Sequence, residues 1–240
     1  MRYMLMHKLN ARLERGEMPG PEEIQKIHGM MGEAMNAGIF LGGDGLLPSR
    51  ERFHVTYTGG RRNVQKGPFE GAGELIGSYD QLKVKTLDEA LSWLDRFAEV
   101  LGDTDIFLGP CTEPWHLGMM PEPENPPLRF LAVHRQDERA ENELLAAPET
   151  VAKMSALLAE MNDAGVLLCS ESLTATKHGA RIHFEGDQHS VVDGPFAESK
   201  ELISGFAIFE LPSLAEAITW GIRWGQTVDV NDVEIRPLVG

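Results

Sequence analysis

The chain has 240 residues, 42% hydrophobic and 25% charged, with a formal net charge of −15. This is a globular composition, and an acidic surface whose densest basic spot is Arg61-Arg62 argues against nucleic acid and anionic membranes as partners. No apolar run approaches the roughly 18 residues of a membrane span, the N-terminus lacks a secretory pattern, and only two cysteines occur, Cys111 and Cys169; a cytoplasmic protein with idle thiols is expected.

The chain matches itself without a gap at an offset of 127 positions, from the N-terminus to Pro110. His7 falls on His134, Ala37-Gly38 on Ala164-Gly165, Gly67-Pro68-Phe69 on Gly194-Pro195-Phe196, and Trp93 on Trp220. A period this long marks a duplicated domain rather than a solenoid unit. Each predicted element can therefore be read twice.

Arg2 to His7, matched by Arg129 to His134, is a short apolar run that predicts a buried strand. After a polar stretch, Pro21-Glu22-Glu23 and Pro148-Glu149-Thr150 open helices, with proline and acids in the first turn. Ile24, Ile27, Met31 and Ala34 keep helical spacing, as do Val151, Met154, Leu158 and Met161. Gly38 and Gly165 close both helices. A strand follows at Ile39-Phe40-Leu41 and Val166-Leu167-Leu168. Alternation at Phe53, Val55 and Tyr57, then Gly59-Gly60, predicts a hairpin; Ile182 and Phe184, with Glu185-Gly186-Asp187, repeat it. The next strand is Tyr79 to Val84, or Phe206 to Leu211. Thr86 with Glu89 and Ser213 with Glu216 form capping boxes for the second helix of each copy. Asp105 to Leu108 and Asp232 to Ile235 are the last strands.

The order β-α-β-β-α-β is that of a ferredoxin-like unit, an antiparallel sheet with both helices on one face. The bare face needs a cover. We expect an α+β fold in which two tandem ferredoxin-like units, residues 1–111 and 128–240, cover each other as an intramolecular dimeric α+β barrel. The proline-rich linker 112–127 would be extended and pinned by Trp115.

His7 and His134 end the first strand of each copy and suit acid–base work near neutral pH; capped edge histidines are the structural alternative. Asp44 and Glu171 are matched acids after the second strand. A carboxylate beside a histidine orients it and raises its basicity, so His7–Asp44 and His134–Glu171 are candidate dyads. Spacing among His178, His183 and His189 fits no metal site, and no Cys/His cluster, phosphate loop or dinucleotide motif occurs; no cofactor or metal is expected.

Asp193-Gly194-Pro195-Phe196-Ala197-Glu198-Ser199-Lys200-Glu201 resembles the signature of the YCII-related proteins of the DGPF type, and Gly43-Asp44-Gly45-Leu46 is similar to a second segment of that family. The resemblance spans both halves. It implies a dimeric α+β barrel of bacterial origin and no settled activity, with a histidine–aspartate pair suggested as the active group. It adds Asp193 and His28 as candidates, the latter because the family tends to carry a histidine on its first helix. Structurally, Gly-Pro fixes a turn and Phe69 and Phe196 plug the core. The first copy departs from the signature, with Lys66 in place of Asp193 and Glu70-Gly71-Ala72-Gly73 in place of residues 197–200.

Two functional readings stay open. One is a small-molecule lyase or isomerase with a His–carboxylate pair in a cavity. The other is a non-catalytic ligand-binding or regulatory module tied to a sigma-factor pathway. The small molecule is not identified, and further pairing of the pseudo-dimer into a homodimer is left open.

Overall fold

The computed structural model describes residues 1–17, 19–69, 75–186, 188–196 and 202–239. Among them the chain forms two six-stranded antiparallel sheets and six α-helices. The expected segments 70–73 and 197–201 and the turn residue Asp187 lie outside the described residues.

The first half runs β1 (Arg2–Lys8), α1 (Ala11–Glu14), α2 (Pro21–Asn36), β2 (Phe40–Gly45), the hairpin β3 (Phe53–Thr58) and β4 (Arg61–Lys66), β5 (Ile76–Val84), α3 (Leu87–Leu101) and β6 (Thr104–Pro110). The second half repeats this as β7 (Leu128–Arg135), α4 (Glu138–Glu141), α5 (Pro148–Asp163), β8 (Leu167–Ser172), β9 (Ala180–Glu185), β10 (Gln188–Asp193), β11 (Ile203–Glu210), α6 (Leu214–Val228) and β12 (Asp232–Pro237). The helix signals act as read. Pro21 and Pro148 open α2 and α5, and Gly38 and Gly165 follow their ends with φ of +69° in both copies. Thr86 Oγ1 accepts from Glu89 N–H at 3.1 Å, and Ser213 Oγ from Glu216 N–H at 3.3 Å.

The sheets do not follow the halves. One has the order β10-β9-β12-β1-β11-β2, the other β4-β3-β6-β7-β5-β8. β1 lies between β11 and β12 of the other half, and β7 lies between β5 and β6. The compact units cut across the expected division at 112–127. Unit one holds Met1–Pro48 and Leu173–Gly240, and unit two holds Ser49–Glu70 and Leu75–Ser172. The physical reason is local. The linker returns the chain so that β7 pairs antiparallel with β6, its predecessor in sequence, as successive strands commonly do. β1 then takes the equivalent place between the last two long strands of the second half.

Each unit has its own core between its sheet and its helices. In unit one, Tyr3, Leu5, Phe209, Val233 and Ile235 meet Met30 and Ala34 of α2 and Ala217 and Trp224 of α6. In unit two, Val55, Leu82, Ile106, Phe130 and Ala132 meet Leu94 and Phe97 of α3 and Leu157 and Met161 of α5. The helices are clamped alike. Arg223 of α6 grips Glu33 of α2 through two bonds of 3.0 and 2.6 Å while lying over Trp220; Arg96 of α3 grips Glu160 of α5 at 2.6 and 2.7 Å while lying over Trp93. All three residue types are identical in the repeat.

Candidate functional site

Side chains alternate between the two faces of a strand, so the register fixes which candidates can meet. On β7, Phe130 and Ala132 face the helices, and His134 follows on that face. On β5, Leu82 and Val84 do the same, and Asp80 joins them. The two polar residues are diagonal neighbours on adjacent strands, since His134 lies opposite Ser78 and Asp80 opposite Ala132. His134 Nε2 is 2.7 Å from Asp80 Oδ2, and both side chains are buried, at 7% and 4% exposure. Phe97 of α3 tilts against the imidazole with ring centroids 5.1 Å apart. The second ring nitrogen, Nδ1, is buried with no hydrogen-bond partner.

That arrangement has a chemical direction. With Nε2–H donating to the Asp80 carboxylate, Nδ1 presents a bare lone pair. An aspartate that holds the tautomer and steadies the imidazolium is the orienting partner of a general base. Here it acts through Nε2, and Nδ1 is the atom left to take or give a proton.

The equivalent position in unit one is built differently. His7 is also on the helix face, but Ala207 stands where Asp80 would be. Trp224, the counterpart of Phe97, donates its indole N–H to His7 Nδ1 at 3.3 Å. Gly205 is required there, because a Cβ on it would run into the His7 ring. The ring nitrogen that is open on His134 is thus engaged on His7.

The expected dyads do not form on one face. Asp44 lies opposite Phe206, which lies opposite Met6, while His7 lies opposite Gly205. Glu171 lies opposite Tyr79, which lies opposite Val133, while His134 lies opposite Ser78. Alternation therefore sets Asp44 and Glu171 on the sheet faces away from their histidines. His28 is exposed on α2. Asp193 is exposed at the end of β10, opposite Ala180. Neither shares the face that carries His134.

The Gly-Pro-Phe turns act as packing elements. Phe196 N–H donates to Thr176 Oγ1 at 2.9 Å and Phe69 N–H to Ser49 Oγ at 3.2 Å. Phe196 is buried under the Arg181 guanidinium, 4.1 Å from its centroid, whereas Phe69 packs edge-on against His54 and Phe107. Two further His–Asp pairs lie near the surface, His54–Asp105 at 2.5 Å and His183–Asp232 at 2.8 Å. The Asp232 carboxylate raises the His183 pKa. The thiol of Cys169, opposite Gln81, is pushed up to about 11, by burial above all and by the charges of Glu171 and Asp80.

Sheets backed by helices, with a buried imidazole–carboxylate pair on the helix side of one of them, define an α+β protein. Residues 129–237 match the YCII-related domain, so this stretch of the chain is a YCII-related domain. No curated protein and no solved structure matches it. No helix among the described residues is long and apolar enough to cross a membrane.

Proposed function

We propose that the protein is a small-molecule lyase or isomerase whose acid–base group is His134, oriented by Asp80. The lyases and isomerases meant are those whose reaction, an elimination or a proton shift, begins with removal of a proton from carbon, which needs a base held in one tautomer. The observation that carries the reading is the unpartnered, buried Nδ1 of a histidine whose other nitrogen is held by a buried carboxylate. A purely structural histidine would normally have both nitrogens satisfied.

The strand orders β12-β1-β11-β2 and β6-β7-β5-β8 support two ferredoxin-like layers of the 4-1-3-2 type, each completed by the opposite half. The family resemblance implies that such layers pair as an α+β barrel. A barrel of this kind would melt in one transition, and two separate transitions would count against it.

The functional test is solvent exchange. In D₂O, candidate carbon acids, namely small hydroxy acids and ring-bearing carboxylates, are screened by NMR for deuterium uptake catalysed by the wild type. Uptake that is lost in His134→Gln and cut at least about a hundredfold in Asp80→Asn supports the enzyme. Saturable ligand binding without exchange in any protein would instead favour the binding module.

A further inference from the structure

We infer that unit one carries a second site, for an anionic oxygen group (a carboxylate or phosphate of a small molecule), formed by Lys8, Arg181 and Arg236. The three cations come from adjacent strands of one sheet, β9, β12 and β1. Ile182, Val233 and Ile235 point to the helices. Arg181, Glu234 and Arg236 alternate with them and face the other way, and Lys8 reaches the same carboxylate from the end of β1.

Glu234 is the shared counter-ion. Its Oε2 lies 2.9 Å from both Nε and Nη2 of Arg181 and 3.6 Å from Lys8 Nζ, and its Oε1 lies 3.3 Å from Arg236 Nη1. Burial would raise this carboxyl, but the attraction of Lys8, Arg181 and Arg236 outweighs it and holds the pKa below the ordinary range. Arg236 also donates from Nε and Nη2 to the Thr174 carbonyl, whereas Lys8 approaches no acceptor within hydrogen-bond reach. The Lys8 side chain is 4% exposed, and its ammonium makes no hydrogen bond. Three N–H donors in a buried place with none engaged are costly, and a ligand oxygen would satisfy them. The four side chains sum to two positive charges, inside a chain whose net charge is −15.

The repeat argues that the fold does not demand this cluster. At the equivalent positions unit two has Arg135, His54, Phe107 and Gly109, and its sheet forms with the same strand order. Arg135 there is exposed and lies 3.9 Å from Asp105. Arg181, at 27% exposure, is the member that opens to solvent, and the buried Phe196 of the Gly-Pro-Phe turn lies against it.

The test is calorimetric titration of the full chain with inorganic phosphate and, separately, with acetate, at ionic strength held constant with sodium chloride. Saturable binding of either anion, weakened at least about tenfold in both Lys8→Met and Arg181→Gln and retained in His134→Gln, supports the site. Phosphate alone would identify a phosphate ligand and acetate alone a carboxylate. Absence of saturable binding of both anions, or binding undiminished in Arg181→Gln, overturns it. Arg181 is the least buried of the three, so its variant keeps the test decisive should Lys8→Met fail to fold. Retention in His134→Gln separates this site from the acid–base proposal for unit two.

Discussion

Asp80 shows how a repeat can mislead at the level of single residues. Acids matched in both copies, Asp44 and Glu171, draw attention because they persist; Asp80 does not, because its counterpart is Ala207. The signal that could have found it is an acid inside an apolar strand, Tyr79 to Val84, at the alternation phase of Leu82. His134 was legible from its place at a strand end, but its partner needed the register between β5 and β7, which spans the two halves. Removing one member of a buried pair strands the other. Asp80→Ala should therefore lower stability by about 2–3 kcal/mol in urea titrations, and Asp80→Ala with His134→Phe should cost less than the two single changes added. Glu234 gives a pH signature. Its folded pKa lies below the ordinary carboxyl value, so its contribution is fully present above that value and is lost as pH falls through the folded one. Glu234→Gln should be destabilised by about 3 kcal/mol at neutral pH, and its deficit should shrink progressively on acidification through that range. A deficit that stays constant with pH would contradict the assignment. Cys169, with its thiol pushed up to about 11 from 9.0, should alkylate at pH 8 with a thiolate fraction ~100-fold below that of an unperturbed thiol, as followed by mass spectrometry with iodoacetamide.

At the scale of elements, caps and turns were the most legible features, because they depend on neighbours in sequence. The prolines that open α2 and α5, the glycines that follow them, and the Thr86 and Ser213 caps of α3 and α6 do what their spacing implies; of the capping boxes, the hydroxyl caps form, while Glu89 accepts from Lys85 N–H rather than from Thr86. The four-residue helices α1 and α4 were hidden in stretches that read as merely polar; Asn10 and Asp137 cap them by accepting from Leu13 and Ala140, but a single turn leaves no apolar periodicity to detect. The chain bends at Gly67 and Gly194, where the sequence predicts a turn, and the reason for the glycine is tertiary. A Cβ at Gly194 would collide with the Thr176 carbonyl, and one at Gly67 with that of Ser49. Gly194→Ala should thus cost about 2–3 kcal/mol in thermal or urea unfolding. Gly20→Ala, with nothing within 4 Å of the new methyl, should change stability by less than about 1 kcal/mol.

At the scale of the whole molecule, the duplication was plain and its consequence was not. Two copies of β-α-β-β-α-β imply two sheets. They do not say whose strands complete each sheet, because β5 and β11, or β6 and β12, offer β1 edges of the same kind. The short-range pairing of β6 with β7 decides it, and as a result His134 of the second half meets Asp80 and Phe97 of the first. The candidate site exists only because the halves interleave. Disulfide mapping tests this most directly. Lys83 lies opposite Arg129 in the β5–β7 ladder and Arg2 opposite Glu210 in the β1–β11 ladder, whereas halves that closed on themselves would set Arg2 opposite Lys83. In peptide mass spectra, Lys83→Cys/Arg129→Cys should form its cross-link under mild oxidation and Arg2→Cys/Lys83→Cys should stay reduced. The reverse outcome, Arg2→Cys/Lys83→Cys closing while Lys83→Cys/Arg129→Cys remains open, would contradict the interleaved sheets and the pairing of His134 with Asp80.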